Sequence, residues 1–183
     1  QRLAERGLRS RIHAFTDGRD TPPDSARGYL RTLEDSLPDE AQIATVCGRY
    51  FAMDRDKRWE RVKTAYDAMA HGRGVAVASA EGALDSALAE GKTDEFVTPA
   101  VVGGYAGMED GDALICFNFR SDRAREILSA LLLPDFSGFD RGARIEFSAA
   151  LGMVSYSAEL DAYMKTLFEQ QNLKDGLSET VSR

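Results

Sequence analysis

This sequence predicts an α/β fold, a three-layer α/β/α sandwich around a mainly parallel or mixed central sheet. Two observations carry that prediction. Short apolar stretches alternate with longer segments whose apolar residues recur at helical spacing, the pattern of a sheet covered by helices. The apolar stretches also run into turns rich in glycine, aspartate and arginine, and the carboxyl ends of strands are where open α/β sheets bind ligands.

The elements follow in order. Residues 11–16 (RIHAFT) are the first strand and residues 17–20 (DGRD) its turn. Thr21, Pro22, Pro23 and Asp24 read as a helix start: threonine caps, proline suits the first turn, and aspartate favours the positive helix end. This helix runs to about Ser36 and stops before Pro38. Residues 42–47 are a second strand, closed by Gly48. Asp54 or Asp56 caps a helix over residues 57–71, with Trp59, Val62, Tyr66 and Met69 on its buried face and Gly72 and Gly74 at its end. A helix over residues 80–90 turns Leu84, Ala87 and Leu88 inward and ends at Gly91. Residues 96–102 are extended, 103–107 a loop and 110–112 a turn. Residues 113–119 (ALICFNF) are an unbroken apolar strand, which argues for a central place. Ser121 or Asp122 caps the next helix, whose Ala124, Ile127, Leu128, Leu131 and Leu132 face in and which Pro134 ends. Residues 144–149 are a further strand, and residues 159–171 a last helix with Leu160, Tyr163, Met164, Leu167 and Phe168 inward.

Length and charge bound the partners. The chain's 183 residues suffice for one domain with a substantial core. A net charge of −7 supplies no basic field for nucleic acid or an anionic membrane, so neither is expected as a partner. No apolar run reaches membrane-spanning length and no signal peptide is visible. Cys47 and Cys116 lie in predicted strands without CxxC or metal spacing. They read as buried reduced thiols of a cytoplasmic protein, with a disulfide as the alternative. Residues 1–9 read as the tail of a helix, residues 1–175 as the domain, and residues 176–183 as the start of a connection. The expectation is a piece of a longer chain.

Against the acidic background, Arg19, Arg49, Arg55, Arg120 and Arg123 follow predicted strands. Gathered together they would hold a small dianion, because guanidinium keeps its charge and presents a planar fork matched to phosphate and carboxylate. Taken singly, any one of them is better explained as a partner of a surface carboxylate. Arg120 and Arg123 straddle a helix start, where backbone N–H groups add to an anion site. A basic residue is mildly disfavoured there by the helix dipole, which adds weight to a functional Arg123. Asp20 has two readings: a turn residue paired with an arginine, or a base that orients a substrate hydroxyl and takes its proton. Asp17 is more simply turn chemistry. Arg49 and Arg55 share one loop and could clamp a carboxylate. His13 and His71 read as structural, and the residues suggest no metal site.

Three runs carry a resemblance: HAFTDGRDTPP (residues 13–23), GRYFAMDRDKRWER (48–61) and FNFRSDRA (117–124). In this order they resemble the cofactor-independent (2,3-bisphosphoglycerate-independent) phosphoglycerate mutases. The resemblance implies the inserted transferase domain of a two-domain isomerase, which binds 2- and 3-phosphoglycerate in glycolysis. It further implies a partner domain, phosphatase-like and related to alkaline phosphatase, that carries two manganese ions and a transiently phosphorylated serine. By the same resemblance Arg19, Asp20, Arg49, Arg55, Arg120 and Arg123 bind substrate, and Asp20 is the candidate catalytic base. The family's serine, metal ligands, an upstream histidine and a downstream lysine have no counterpart in these residues, so the isolated chain is expected to be inactive. The competing expectation is a non-catalytic small-anion-binding module.

Overall fold

The structure, a computed structural model, describes residues 2–168. In chain order its main elements are β1 (Ser10–Thr16), α1 (Ala26–Ser36), β2 (Ala41–Gly48), α2 (Arg49–Ala52), α3 (Trp59–His71) and β3 (Val75–Val77). They continue with α4 (Ala80–Ala89), β4 (Ala100–Val102), β5 (Ala113–Cys116), α5 (Ser121–Leu132), β6 (Ala149–Gly152) and β7 (Lys165–Thr166).

The fold is the expected α/β class, and its strand pairing is mixed. One sheet has the order β1-β2-β4-β3, with β1 parallel to β2, β2 antiparallel to β4, and β3 parallel to β4. The remaining strands form a second, all-parallel sheet in the order β5-β6-β7. Helices α1 and α4 cover one face of the first sheet, burying Ala26, Leu30, Ala83, Leu84 and Ala87 against Ile43, Val46 and Ala100. On the other face α3 and α5 bury Val62, Tyr66, Met69, Ile127, Leu128 and Leu131 with Cys47. Val46 and Cys47 are neighbours in β2 yet belong to opposite cores, because successive strand residues point to opposite faces.

Several expectations shift. Helix α1 starts at Ala26 rather than near Pro22. Thr21 spends its hydroxyl accepting from the Gly18 N–H, and the helix N–H of Ala26 is met by the buried carboxylate of Asp94 at 2.7 Å. Leu88 is 69% exposed, not inward; it falls one position outside the stripe Ala80, Ala83, Leu84 and Ala87 that meets the sheet. The apolar run 113–119 is an edge strand only as far as Cys116, and Phe117 and Phe119 are 73% and 79% exposed. Its partner β6 is equally short, and beyond it the hydroxyl of Tyr156 takes the carbonyl of Asn118. The strand expected at 144–149 forms instead at Ala149–Gly152, while Glu146 and Ser148 bond to the turn 110–112. Residues 160–162 make one 3-10 turn and Lys165–Thr166 joins β6 as a strand, so the expected last helix does not form there. Leu160 and Met164 are buried, whereas Tyr163, Leu167 and Phe168 are exposed, since the N–H groups of Leu167 and Phe168 bond to Gly152 and Met153. Residues 169–171 of that expected helix lie outside the described residues. Cys47 is buried and Cys116 partly buried, and neither is in a disulfide.

Candidate functional site

The pairing of β1 with β2 builds the first half of the site. Parallel register sets Thr16 opposite Gly48, so the next residue of each chain, Asp17 and Arg49, emerge side by side at the carboxyl ends. Arg49 Nη1 donates to Asp17 Oδ1, and to Asp20 Oδ2 at 2.9 Å. Arg49 is itself buried at 5% exposure. Burial raises the Asp17 carboxyl, but the bond from Arg49 and the N–H groups of Asp20 and Arg19 outweigh it and hold Asp17 below the usual carboxylate range. Both turns rest on the segment 94–97: Thr16 Oγ1 donates to the Asp94 carbonyl at 2.6 Å, and the Gly48 N–H to that of Val97 at 2.8 Å. Gly18 has φ +66°, and a Cβ there would meet the Glu95 backbone nitrogen at 2.7 Å, so this turn requires glycine.

The second half comes from α5 and the chain after α2. Helix α5 opens at Ser121 with no side-chain cap on its first N–H groups, which leaves them as anion donors. Asp122, expected as a possible cap, instead bridges two arginines: Arg55 Nη1 donates to it at 2.7 Å and Arg120 Nε at 3.0 Å. Arg123 reaches inward, and its Nη1 donates to the Met53 carbonyl at 3.1 Å. Its Nε is buried without an acceptor, one of two buried side-chain polar atoms that lack a hydrogen-bond partner among the described residues. Burial, then the guanidiniums of Arg55 and Arg49 and more weakly that of Arg120, push Arg123 down from the ordinary arginine value. The two halves therefore converge on Arg123. A cleft of about 300 Å³ lies beside it, lined by Arg55, Lys57, Trp59, Asp122, Arg125, Glu126 and Ser129.

The structure thus gathers Arg49, Asp20, Arg55, Arg120 and Arg123. Arg19 stands apart: it is 63% exposed and faces Glu95 at 3.6 Å. Arg125 donates to the Tyr156 carbonyl. His13 accepts or donates at Thr45 Oγ1 across 2.9 Å, and His71 meets the Arg141 carbonyl; both serve the framework. Two acidic residues escaped the sequence reading. Asp122 reads as a cap in the sequence, although its place between Arg120 and Arg123 is also a signal for a counter-ion. Glu126 is 93% buried, being 7% exposed, and it sits among apolar helix residues where no periodicity distinguishes it. Among the described residues no group of His, Cys, Asp and Glu side chains is arranged to hold a metal ion. No helix there is long and apolar enough to cross a membrane.

Residues 1–158 match the family model described as BPG-independent PGAM N-terminus (iPGM_N). The chain is similar to the 2,3-bisphosphoglycerate-independent phosphoglycerate mutase of Cereibacter sphaeroides, 52% identical over 180 residues that cover 98% of this chain and 36% of that protein. The enzyme of the same name from Ruegeria pomeroyi is also 52% identical, over 183 residues that cover 100% of this chain and 36% of the relative. A crystal structure of Leishmania mexicana phosphoglycerate mutase at low cobalt concentration superimposes with a TM-score of 0.85 at 31% identity, covering 95% of this chain and 34% of the other. The chain therefore spans about a third of the length of the curated relatives it matches.

Proposed function

Because this chain belongs to the BPG-independent phosphoglycerate mutase N-terminal family, we propose that it is the substrate-holding part of an isomerase that interconverts 3- and 2-phosphoglycerate. The observation that carries this reading is the buried, acceptor-free Nε of Arg123 amid Arg49, Arg55 and Arg120. An unpartnered buried donor is costly, and the oxygen of a phosphoryl group or carboxylate satisfies it. Arg49, Arg55 and Arg120 already hold carboxylates in Asp17, Asp20 and Asp122, so an anionic substrate exchanges for resident counter-ions rather than entering bare positive charge.

In the proposed reaction a serine hydroxyl of the partner domain attacks phosphorus, and the glycerate oxygen leaves as a hydroxyl, taking up the proton that the serine gives up. The glycerate turns without departing, its other hydroxyl attacks the phosphoserine, and the serine oxygen leaves in turn. Splitting one transfer into two is the gain of a covalent intermediate. The residues of this chain bind and orient the glycerate and neutralise charge as it develops on the transferring group. Asp20 receives the proton of the attacking glycerate hydroxyl and returns it to the departing serine oxygen, and Arg19 joins by leaving Glu95. The two manganese ions implied by the family would supply Lewis-acid stabilisation. The described residues offer no group fitted to hold them. Function in glycolysis and in the cytoplasm belongs to the same proposal.

The test is a titration of the purified chain with 3-phosphoglycerate, followed by NMR, beside a mutase assay with manganese present. Weak binding that shifts the loops after β1, β2 and β5, without turnover, is expected. Binding elsewhere overturns the site. Metal-dependent turnover by the chain alone overturns the division of labour.

A further inference from the structure

We infer that Glu126 is a positioning residue that fixes the Arg55-bearing loop to the helix bearing Arg120 and Arg123, and so sets the spacing of the anion site. The inference rests on the reading above and concerns how that site is held.

The geometry is a staple. Glu126 lies on α5 one turn beyond Arg123, and its Oε1 accepts the backbone N–H of Lys57 at 2.8 Å. Lys57 has φ +58°, the left-handed backbone that a lysine adopts only under constraint. On the loop side the buried Asp54 closes the same turn, accepting the N–H groups of Asp56 at 2.9 Å and Arg58 at 3.0 Å. Arg55, whose Nη1 holds Asp122, sits inside that turn. Asp54 and Glu126 thus grip one strained turn from both sides.

The unpartnered Oε2 of Glu126 tells which protonation state does this. It is buried, with no hydrogen-bond partner among the described residues. Burial first, and then the neighbouring carboxyl groups of Asp54 and Asp56, raise Glu126 above the usual carboxylate range; the Lys57 N–H opposes this. Against its own burial, Asp54 is held low by the backbone N–H groups of Arg58 and Asp56 and by the guanidinium of Arg58. A proton on Glu126 shared with the neighbouring Asp54 carboxylate would give the orphan oxygen a partner and remove the repulsion between the two groups. An ionised Glu126 would face two carboxylates across the turn. The charged groups lining the cleft beside it are Arg55, Lys57, Asp122 and Arg125.

Sulfate, which does not titrate near neutrality, is the probe. It is added to the full 183-residue chain at pH values from the usual carboxylate range upward, with amide shifts read by NMR. Glu126→Gln keeps the acceptor for Lys57 and a donor for Asp54, so its affinity should stay within about twofold of wild type. Glu126→Ala should lose about tenfold or more, with the amide spectrum outside residues 54–58 retained. Wild-type affinity should weaken as pH rises through the Glu126 titration, and the Lys57 amide should shift with it; in Glu126→Gln both should be flat. Wild-type sulfate affinity in Glu126→Ala overturns the inference, as does a Glu126→Gln variant that binds as poorly as Glu126→Ala. If Glu126→Ala does not fold, a wild-type pH profile identical to that of Glu126→Gln overturns it. Sulfate that shifts none of the arginine loops in wild type overturns the anion-site reading itself, and this inference with it.

Discussion

Arg123 Nε is a buried donor that no acceptor among the described residues reaches, and that makes arginine at this position different from arginine at position 120. Arg120 is half exposed and spends its own Nε on Asp122. Lysine keeps the charge but has no Nε and no fork. Arg123→Lys should therefore weaken 3-phosphoglycerate binding by about 1.5–3 kcal/mol, the range for a hydrogen bond to a charged group, and Arg120→Lys should weaken it less. Calorimetric titration of both variants compares them directly, and the reverse order would show that the orphan donor is not the binding group. Asp20 carries a second residue-scale prediction. Its carboxylate shares Arg49 with Asp17, and asparagine keeps the turn while losing the ability to take a proton. In the full-length protein, Asp20→Asn should lower mutase turnover far more than hydrolysis of the phosphoenzyme. Equal losses would reduce Asp20 to a turn residue.

At the scale of elements, much of the site's support comes from distant chain. Asp94 caps α1 across the fold, and its own backbone carbonyl receives Thr16 at the end of β1. Asp94→Ala should destabilise the chain by about 1–2 kcal/mol, the usual loss for a cap, as read from the denaturant midpoint. A change under about 0.3 kcal/mol would mean that α1 does not depend on it. Helix α5 ends in the same manner: the buried Arg141 donates to the carbonyls of Ala130, Leu133 and Pro134. The apolar segment after β5 shows the converse. Phe119 is 79% exposed, so Phe119→Ser should change the stability of this chain by less than about 0.5 kcal/mol. A larger loss in thermal unfolding would place that ring in contacts the structure does not have.

On the scale of the whole molecule, β1 couples the core to pH through His13. Its ring lies against Tyr105 and bonds to Thr45, and burial lowers it from the ordinary 6.5 to about 4. The folded state thus keeps His13 neutral while the unfolded chain takes up a proton below about pH 6.5. Stability from this group is present in full above that pH and is lost as pH falls toward 4. The loss should approach about 3 kcal/mol at one pKa unit per 1.4 kcal/mol. Denaturant unfolding between those limits should show the slope in wild type and a flatter one in His13→Gln. An unchanged slope would assign the acid sensitivity to other groups.

The sequence by itself determined the α/β class, the buried faces of α3 and α5, and the turns that carry the arginines. These are local matters: helical periodicity in Val62, Tyr66, Met69, Ile127, Leu128 and Leu131, and glycine where Gly18 and Gly72 need positive φ. The resemblance of three short runs also named the family that residues 1–158 match. Only the tertiary structure decided which carboxylate meets which arginine. Asp17 reaches Arg49 because two strands share a register, and Asp122 reaches Arg55 because α5 packs beside the chain after α2. It alone decided that only residues 113–116 of ALICFNF form a strand, at a sheet edge, since an apolar run specifies burial only if neighbouring strands exist along its whole length. The protonated state inferred for Glu126 is of the same kind. A buried charge is set by what surrounds it in space, and its neighbours Asp54 and Lys57 are brought to it by packing and not by sequence order.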